Sequence, residues 1–452
     1  MYESESYDLI IVGAGPGGHA AAEHAARWGA RVAVIEKNQW GGTCTHRGCI
    51  PTKALLACSR QYMNLKKLKR LGISAGEAKV DFAAIKRHQR QMVTISAKGV
   101  AQSLEDAGVG LKAGEGHLIS SREVEWISLE GERNQLTANN IIIAWGSEPL
   151  LPRSFQTSGK ILTSDGFLAL DTLPESVIIV GGSFIGIEIA TFLAELGAKV
   201  TIVELLDGLL PHEDREADDL IRHDLIRLGV AIHTSTRMEA IEETSNGVLL
   251  KANQNAKPLE LTADCVLMCT GRKPLLHAEE LNHCGILYDQ KGISVDDRQM
   301  TNVQGIYAVG DVTGGIMLAH RAMQQGRSVA SYLYGDRSIA YADDAVPSVV
   351  YTHPNVARVG ITEKRAGELG LKVEIKRVEY GANIMARTEL KGNGFVKAVF
   401  CGDRLMGVTI VGDDAGELIA SMSLAVANRM GKKELNNWII PHPSLSEILH
   451  VL

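Results

Sequence analysis

The chain has 452 residues, which is enough for about three domains of ordinary size. Glycine accounts for 46 residues and aromatic residues for only 5%, a composition typical of α/β proteins, whose tight strand-to-helix turns need glycine. Lysine and arginine number 47 against 53 aspartates and glutamates, a net charge of −6. This balance argues against a nucleic acid or an anionic membrane as partner, because either would require a basic surface.

The N-terminal segment MYESESYDLI is acidic and lacks the basic stretch that begins a secretory signal. No uninterrupted apolar run reaches the roughly 18 residues of a membrane span. The seven cysteines, an odd number, do not match a secreted disulfide framework. We therefore expect a reducing, cytoplasmic location, no membrane span, and a catalytic role for any disulfide.

An internal repeat organises the first half of the chain. Residues 9–36 and 177–204 are offset by a constant 168 positions and are identical at 11 of 28 positions. Each copy has an apolar run, a glycine-rich turn, a stretch with helical spacing and a second apolar run that ends in glutamate. This pattern predicts two βαβ units.

The first copy carries the fingerprint of a dinucleotide-binding turn. Gly13, Gly15 and Gly18 form G-x-G-x-x-G, in which the first glycine permits a tight turn and the second lets the backbone approach a pyrophosphate. The third lets the helix pack on the strand, and the N-terminus of that helix stabilises the anionic phosphates. Glu36 ends the second strand, where a carboxylate can bind a ribose hydroxyl.

The second copy repeats these features with one change. Gly181, Gly186 and Glu204 stand at the equivalent positions, but Ser183 replaces the middle glycine, and its Cβ makes the backbone approach less close. A glycine-rich turn in an ordinary βα loop is the alternative for either copy alone. Two complete units, each with a strand before the turn and an acid after it, indicate two dinucleotide-binding sites.

A cysteine pair, Cys44 and Cys49, follows the first unit in the segment GGTCTHRGCIPTK, residues 41–53. On a helix or helical turn this spacing brings the two sulfurs to one face, and a following helix N-terminus with Lys53 nearby favours a thiolate. The alternatives are two core cysteines, a structural disulfide, or a metal site that includes His46. The position directly after a dinucleotide-binding unit favours a redox-active pair.

The rest of the chain suggests further strands and a separate C-terminal region. Residues 141–149, 267–274 and 305–312 are apolar runs that end in glycine with proline or aspartate. From residue 345 onward, alternating strand patterns and amphipathic helical stretches indicate an α+β domain. We predict an α/β protein with two Rossmann-like domains and a C-terminal α+β dimerisation domain.

Taken in order, the motifs resemble those of the flavin-dependent pyridine nucleotide–disulfide oxidoreductases, and within that family the dihydrolipoamide dehydrogenase branch. The resemblance covers nearly the whole chain. The matching segments are IIVGAGPGGHAAA (10–22), GGTCTHRGCIPTK (41–53), IIVGGSFIGIEIA (178–190), GIYAVGDV (305–312) with MLAHRAMQQG (317–326), VPSVVYTHPNVARVG (346–360) and HPSLSE (442–447).

The resemblance implies the cofactors FAD and NAD and a homodimer with active sites shared across its interface. Cys49 would be the thiolate beside the flavin, and Cys44 the thiol that meets substrate. His442 would act as general base in the site of the other subunit, oriented by Glu447. Histidine's ordinary pKa of about 6.5 suits that role, and a carboxylate five residues away can fix its tautomer. A surface histidine near the C-terminus is the alternative.

The same resemblance implies the cofactor-binding positions. Lys53 would pair with Glu188 beside the flavin, and Asp311 would bind the ribityl chain. Further cofactor-binding positions would be Gly13, Gly15, Gly18, Glu36, Gly42, Thr43, Gly116, Gly146, Gly181, Ser183, Gly186, Glu204, Gly271, Met317, Leu318, Ala319 and His320. The FAD-binding domain would comprise residues 1–147 and 272–344, the NAD-binding domain residues 148–271, and the dimerisation domain residues 345–452.

Three departures from the family pattern stand out. Polar residues Thr45, His46 and Arg47 lie between the cysteines, where the family has a Leu-Asn-Val-like stretch. Trp145 stands where threonine is common, and Gln325 where glutamate is common. We predict that His46 and Arg47 influence substrate choice; solvated side chains with no such role are the alternative.

The function expected from these observations is oxidation of a dithiol, a lipoyl group on a carrier protein or a small dithiol, with reduction of NAD. One alternative is a reductase of another small disulfide such as glutathione, which would use NADPH. Glu204 argues against NADPH, because its carboxylate would repel a 2′-phosphate. A second alternative is a non-catalytic flavoprotein subunit, which the intact set of Cys44, Cys49, His442 and Glu447 disfavours.

Overall fold

This computed structural model describes residues 5–74, 76–152 and 155–451, so the first four residues of the acidic N-terminal segment lie outside the described ranges. The chain divides by its contacts into two units. The first unit comprises Met1–Pro51, Arg87–Leu150 and Gly271–Tyr341, and the second comprises Thr52–Lys86, Leu151–Thr270 and Ala342–Leu452. None of the helices within the described ranges has the length and apolar character that crossing a membrane requires.

Strands and α-helices follow one another along the described ranges of the chain. The strands are β1 (Glu5–Val12), β2 (Val32–Glu36), β3 (Gly110–Leu118), β4 (Glu123–Ser128), β5 (Arg133–Ile143), β6 (Ser147–Pro149), β7 (Ile161–Thr163), β8 (Ser176–Val180), β9 (Lys199–Val203), β10 (Ala231–His233), β11 (Thr236–Thr244), β12 (Gly247–Gln254), β13 (Lys257–Ala263), β14 (Cys265–Met268), β15 (Arg272–Pro274), β16 (Tyr288–Asp289), β17 (Gly292–Ile293), β18 (Ile306–Ala308), β19 (Ser348–Val350), β20 (Asn355–Gly360), β21 (Glu374–Glu379), β22 (Phe395–Cys401) and β23 (Arg404–Gly412). The α-helices are α1 (Pro16–Arg27), α2 (Gly42–Arg47), α3 (Cys49–Lys67), α4 (Phe82–Asp106), α5 (Ser164–Ala169), α6 (Phe184–Glu195), α7 (Arg215–Arg227), α8 (Ala278–His283), α9 (Ala319–Tyr334), α10 (Glu363–Glu368), α11 (Ile384–Thr388), α12 (Ala415–Ala427) and α13 (Lys432–Asn436).

Both copies of the repeat form βαβ units, which confirms that prediction. In the first copy β1 pairs in parallel with β2, with Leu9 opposite Val32. In the second copy β8 pairs in parallel with β9, with Val177 opposite Val200. The two registers are offset by the same 168 residues as the sequences. Parallel strands are covered on both faces, which explains why these segments are continuous apolar runs.

The first unit is built on one mixed sheet. Its parallel strands lie in the order β3-β2-β1-β5-β18, and β4 pairs antiparallel with both β3 and β5. A core that includes Ile10, Ile35 and Ile141 packs on one face of this sheet. A short antiparallel pair, β6 with β15, joins two turns that lie far apart in sequence.

The described residues of the second unit form three further sheets. A parallel sheet has the order β10-β9-β8-β14-β7, and β11-β12-β13 form an antiparallel one. The C-terminal sheet, β19-β20-β23-β22-β21, is antiparallel throughout. It forms a core of its own with α12, in which Phe400, Ile410 and Ile419 are buried. This arrangement confirms the predicted α+β region at the C-terminal end of the chain.

Candidate active site

The glycines of the first repeat form a turn that fits a bound pyrophosphate. A Cβ on Gly13 would overlap the carbonyl oxygen of Ala144, and a Cβ on Gly18 would overlap that of Gly13, so both positions require glycine for the backbone to pack. A Cβ on Gly15 would meet nothing within 4 Å, which leaves open space in front of the N-terminus of α1. Free amides there attract phosphate oxygens, so these residues suit the pyrophosphate of FAD.

The acid at the end of the first unit's second strand faces the same turn. The carboxylate of Glu36 accepts hydrogen bonds from the backbone N–H groups of Ala14 and Asn38, each at 2.8 Å. These bonds hold the side chain beside the glycine-rich turn, where a ribose hydroxyl would reach it. The backbone of Gly42 packs against this turn as well, since a Cβ there would lie 2.8 Å from the Cα of Gly15.

The second repeat reproduces this arrangement. The carboxylate of Glu204 accepts hydrogen bonds from the N–H groups of Gly182 at 2.6 Å and Leu206 at 2.7 Å. A Cβ on Gly181 or Gly186 would overlap a backbone carbonyl oxygen, as in the first repeat. Ser183 is the N-cap of α6 but makes no side-chain capping bond. The geometry therefore suits a second dinucleotide, which here would be NAD.

The cysteine pair lies where one helix ends and another begins. Cys44 is in α2 and Cys49 is the first residue of α3, because Gly48, with φ −148° and ψ −110°, interrupts the helical path. Of the two possibilities that the spacing allowed, a helix or a helical turn, one continuous helix is therefore excluded. Both cysteines are half-buried. The helix N-terminus at Cys49 favours its thiolate, because the unsatisfied amides there carry partial positive charge.

An ion pair connects Lys53, on α3, with Glu188, on α6. The Nζ atom of Lys53 donates to both carboxylate oxygens of Glu188, at 2.8 and 3.0 Å. The Glu188 side chain is 6% exposed and the Lys53 side chain 35%. The backbone N–H of Tyr351 donates to Glu188 Oε1 at 3.0 Å, so the buried carboxylate accepts three hydrogen bonds from two donor groups. The structure thus brings together two residues that lie 135 positions apart.

Sequence reasoning missed a network around Asp311. The hydroxyl of Ser147 donates to Asp311 Oδ2 at 2.6 Å, and Arg272 Nε donates to that hydroxyl oxygen at 2.8 Å. Arg272 also donates to the Ser147 carbonyl oxygen at 2.8 Å. These residues orient the carboxylate predicted to bind the ribityl chain. The sequence does carry a signal for this network, because the similar turns GSEP and GRKP each follow a buried strand. In the structure these two turns pair as β6 and β15.

The remaining predicted cofactor residues lie at the ends of strands and helices in the first unit. They are Thr43 in α2, Gly116 on β3, Gly146 before β6, Gly271 before β15, Met317 and Leu318 before α9, and Ala319 and His320 at its start. Gly146 and Gly271 adopt positive φ values, 78° and 114°, and a Cβ on either would meet open space. Both turns therefore leave room for a ligand.

Two departures from the family pattern have structural explanations. Gln325 is 1% exposed; its Oε1 accepts from the N–H of Gly310 and its Nε2 donates to Gln299, both at 2.8 Å. A glutamate carboxylate has no donor for Gln299, so the amide fits this core better. The ring of Trp145 packs on His277, with 4.4 Å between ring centroids.

The residues between the cysteines differ in their environments. His46 is half-buried, with Nε2 2.9 Å from the carbonyl oxygen of Trp40, whereas the side chain of Arg47 is exposed. The contact with Trp40 holds the His46 ring against the segment that precedes α2, whereas Arg47 faces solvent. Among the described residues no three His, Cys, Asp or Glu side chains are grouped to hold a metal ion.

His442 and Glu447, the predicted base and its orienting carboxylate, are hydrogen-bonded to each other. The His442 Nδ1 atom lies 2.8 Å from Glu447 Oε1, and the N–H of Ser444 donates to Glu447 Oε2 at 2.9 Å. This backbone hydrogen bond, and then the bond to His442, lowers the pKa of Glu447. Because the His442 side chain is 77% exposed, Nε2 is available to a substrate once Nδ1 is held by the carboxylate.

Comparisons with known proteins agree with this geometry. The family described as pyridine nucleotide-disulphide oxidoreductase matches residues 7–326, and its dimerisation domain matches residues 346–452. The chain is 35% identical over 445 residues to dihydrolipoyl dehydrogenase of Chlorobaculum tepidum, covering 98% of this chain and 95% of the relative. It is 36% identical over 449 residues to a Bacillus subtilis dihydrolipoyl dehydrogenase, covering 98% and 97%.

Solved structures show the same likeness. LpdA from Mycobacterium tuberculosis superposes with a TM-score of 0.91 at 27% identity, covering 99% of this chain and 98% of that one. The HOCl-induced flavoprotein disulfide reductase RclA from Escherichia coli gives a TM-score of 0.84 at 28% identity, covering 98% of each chain. The chain therefore belongs to the pyridine nucleotide-disulphide oxidoreductase family, as a flavoprotein oxidoreductase that uses FAD and NAD and dimerises through its C-terminal domain.

Proposed function

We propose that the protein oxidises the dithiol of a dihydrolipoyl group, borne by a carrier protein or a small molecule, and reduces NAD. The observation that carries this proposal is the His442–Glu447 pair, 2.8 Å apart, in a chain that retains both Cys44 and Cys49. A substrate dithiol needs a base to form its attacking thiolate. The likeness to curated dihydrolipoyl dehydrogenases over 98% of the chain supports the same substrate.

We also propose which segments of the chain bind each cofactor and which segment forms the dimer. Residues 1–147 and 272–344 would bind FAD, residues 148–271 would bind NAD, and residues 345–452 would form the dimer. The glycine-rich turns and their acids, Glu36 and Glu204, support the two nucleotide assignments. The match of residues 346–452 to a dimerisation domain supports the assignment of residues 345–452 to the dimer interface.

The chemistry at the cysteines would be thiol–disulfide exchange. His442 Nε2 would take the proton of one substrate thiol, and the resulting thiolate would attack Cys44 and break the Cys44–Cys49 bond. The second substrate thiol would then displace Cys44, so that the substrate leaves as a disulfide and both cysteines are reduced. Glu447 would keep His442 in the tautomer that presents Nε2 as acceptor. Bound FAD and NAD supply the chemistry that removes the two electrons.

Substrate and cofactor preference together test the proposal. We expect dihydrolipoamide with NAD to be turned over with a kcat/KM roughly 10²-fold or more above that of oxidised glutathione with NADPH. Glu204, whose oxygens accept two backbone N–H groups, would repel the 2′-phosphate of NADP. Glu204→Ala should therefore narrow the preference for NAD over NADP. Steady-state assays with both pairs measure this, and preference for glutathione and NADPH would overturn the proposal.

Arg47 is expected to favour anionic substrates. Its exposed cation lies between the two cysteines in sequence, so Arg47→Val should lower kcat/KM for dihydrolipoate relative to neutral dihydrolipoamide by roughly two- to fivefold at low salt. At about 1 M salt, where the Debye length is roughly 3 Å, the difference should vanish. Arg47→Lys keeps the charge and is the control. An unchanged ratio in Arg47→Val would show that Arg47 does not set specificity.

A further inference from the structure

We propose that Tyr351 is a positioning residue that holds the ammonium group of Lys53 in place and thereby tunes the redox step. This inference rests on the proposed function and on the position beside the flavin that the family resemblance implies for Lys53. Tyr351 follows β19 in the second unit, and no sequence motif considered above assigns a role to its ring.

Tyr351 contacts both members of the Lys53–Glu188 ion pair. Its ring lies under the Lys53 ammonium, with 4.6 Å between Nζ and the ring centroid, which is within the range of a cation–π interaction. Its backbone N–H donates to Glu188 Oε1 at 3.0 Å, the oxygen that also accepts from Lys53 at 3.0 Å. One residue therefore fixes the cation through its side chain and the anion through its main chain.

The two members of the ion pair need this support unequally. Glu188 is buried within α6 and accepts three hydrogen bonds, two from Lys53 and one from the main chain of Tyr351, so its position does not depend on the ring. The Lys53 side chain is 35% exposed and has four rotatable bonds, so water competes for its ammonium. Thr352, the next residue after Tyr351, is buried, which keeps the backbone of this segment in place while the ring covers Lys53.

A fixed ammonium near the flavin would favour the reduced cofactor, because reduction adds negative charge that a nearby cation stabilises. Without the ring face, the ammonium would spend less time in that position. Cation–π contacts at partly exposed sites change equilibria by roughly two- to fivefold. The expected consequence is a lower reduction potential of the flavin, not a loss of the fold or of FAD.

The test replaces the ring in the FAD-loaded dimer and measures the flavin midpoint potential. Tyr351→Leu removes the π face but keeps apolar volume, and it should lower the equilibrium constant for reduction roughly two- to fivefold. At 29.6 mV per tenfold for a two-electron couple, this is about 10–20 mV. Tyr351→Phe keeps the face and should match the unaltered enzyme. Tyr351→Met provides a second ring-free variant if the leucine variant does not fold.

A matched control lies on the same helix. Lys66 Nζ is also 4.6 Å from the ring centroid of Tyr62, so Tyr62→Leu removes an equal contact without touching Lys53 and should leave the potential unchanged. The inference is overturned if Tyr351→Leu matches the unaltered enzyme, if Tyr62→Leu shifts the potential equally, or if Tyr351→Phe shifts it as much. Failure of the unaltered enzyme to oxidise dihydrolipoamide would instead contradict the proposed function.

Discussion

Cys44→Ser and Cys49→Ser should each lower dihydrolipoamide oxidation by roughly 10³-fold or more. Thiol–disulfide exchange needs two sulfurs, one to receive the substrate thiolate and one to leave, and serine oxygen cannot form the disulfide. Reduction of ferricyanide by NADH should continue, because this acceptor takes electrons from the flavin without the cysteine pair. Steady-state assays of both reactions on each variant measure the contrast.

Cys58→Ser is the matched control for these variants. Cys58 lies on α3, the helix that begins at Cys49, and is half-buried. Burial raises the pKa of the Cys58 thiol, which keeps it protonated and unreactive. Its replacement should leave both reactions unchanged. Normal dithiol turnover in Cys44→Ser would show that the redox pair has been misassigned.

The second large effect is expected at His442, the proposed general base. His442→Gln should lower dihydrolipoamide oxidation by roughly 10²- to 10⁴-fold, the usual contribution of a positioned acid–base group. Ferricyanide reduction by NADH should again persist, since it involves no substrate thiol. His450→Gln is the control, because His450 is an exposed histidine in the same C-terminal segment. Equal rates of dihydrolipoamide oxidation in His442→Gln and His450→Gln would show that His442 is not the general base.

The pH dependence follows from the direction of the Glu447 shift. Its pKa lies below the ordinary carboxyl value of 4.5, through the backbone N–H of Ser444 and then His442. A lowered pKa means that the interaction is fully present above the ordinary value and is lost as pH falls through the lowered one. Glu447 should therefore stay ionised and keep its hydrogen bond to His442 between about pH 5 and 8. Any change of dithiol oxidation rate with pH in that range then reports the titration of other groups.

The two βαβ units could be predicted because their signals are local. Apolar runs, a glycine-rich turn and helical spacing all lie within 28 residues, and the observed registers, Leu9 with Val32 and Val177 with Val200, follow from the repeat. Buried parallel strands have this continuous apolar pattern in other proteins as well. The separate character of the C-terminal region was predictable for the same reason.

Long-range and backbone features could not be predicted in this way. The Ser147–Arg272 and Ser147–Asp311 contacts span 125 and 164 residues, a separation that hydrophobic periodicity does not encode. The break at Gly48 depends on backbone angles that a C-x4-C spacing leaves open. Lys86 is a buried lysine whose Nζ donates to the carbonyl oxygen of Leu168, and nothing in its local sequence distinguishes it from a solvated one.

The most direct test of the assigned cysteine roles is the long-wavelength absorbance that arises when a thiolate lies against an oxidised flavin. It should be measured on oxidised Cys44→Ser and Cys49→Ser, in which no disulfide can form, and on the unaltered enzyme after anaerobic two-electron reduction, which reduces its disulfide and leaves the flavin oxidised. Cys44→Ser should show the band, because Cys49, at the start of α3, is the proposed flavin-side thiolate and a helix N-terminus favours that form. Cys49→Ser should lose it. Identical spectra for the two variants would contradict the account.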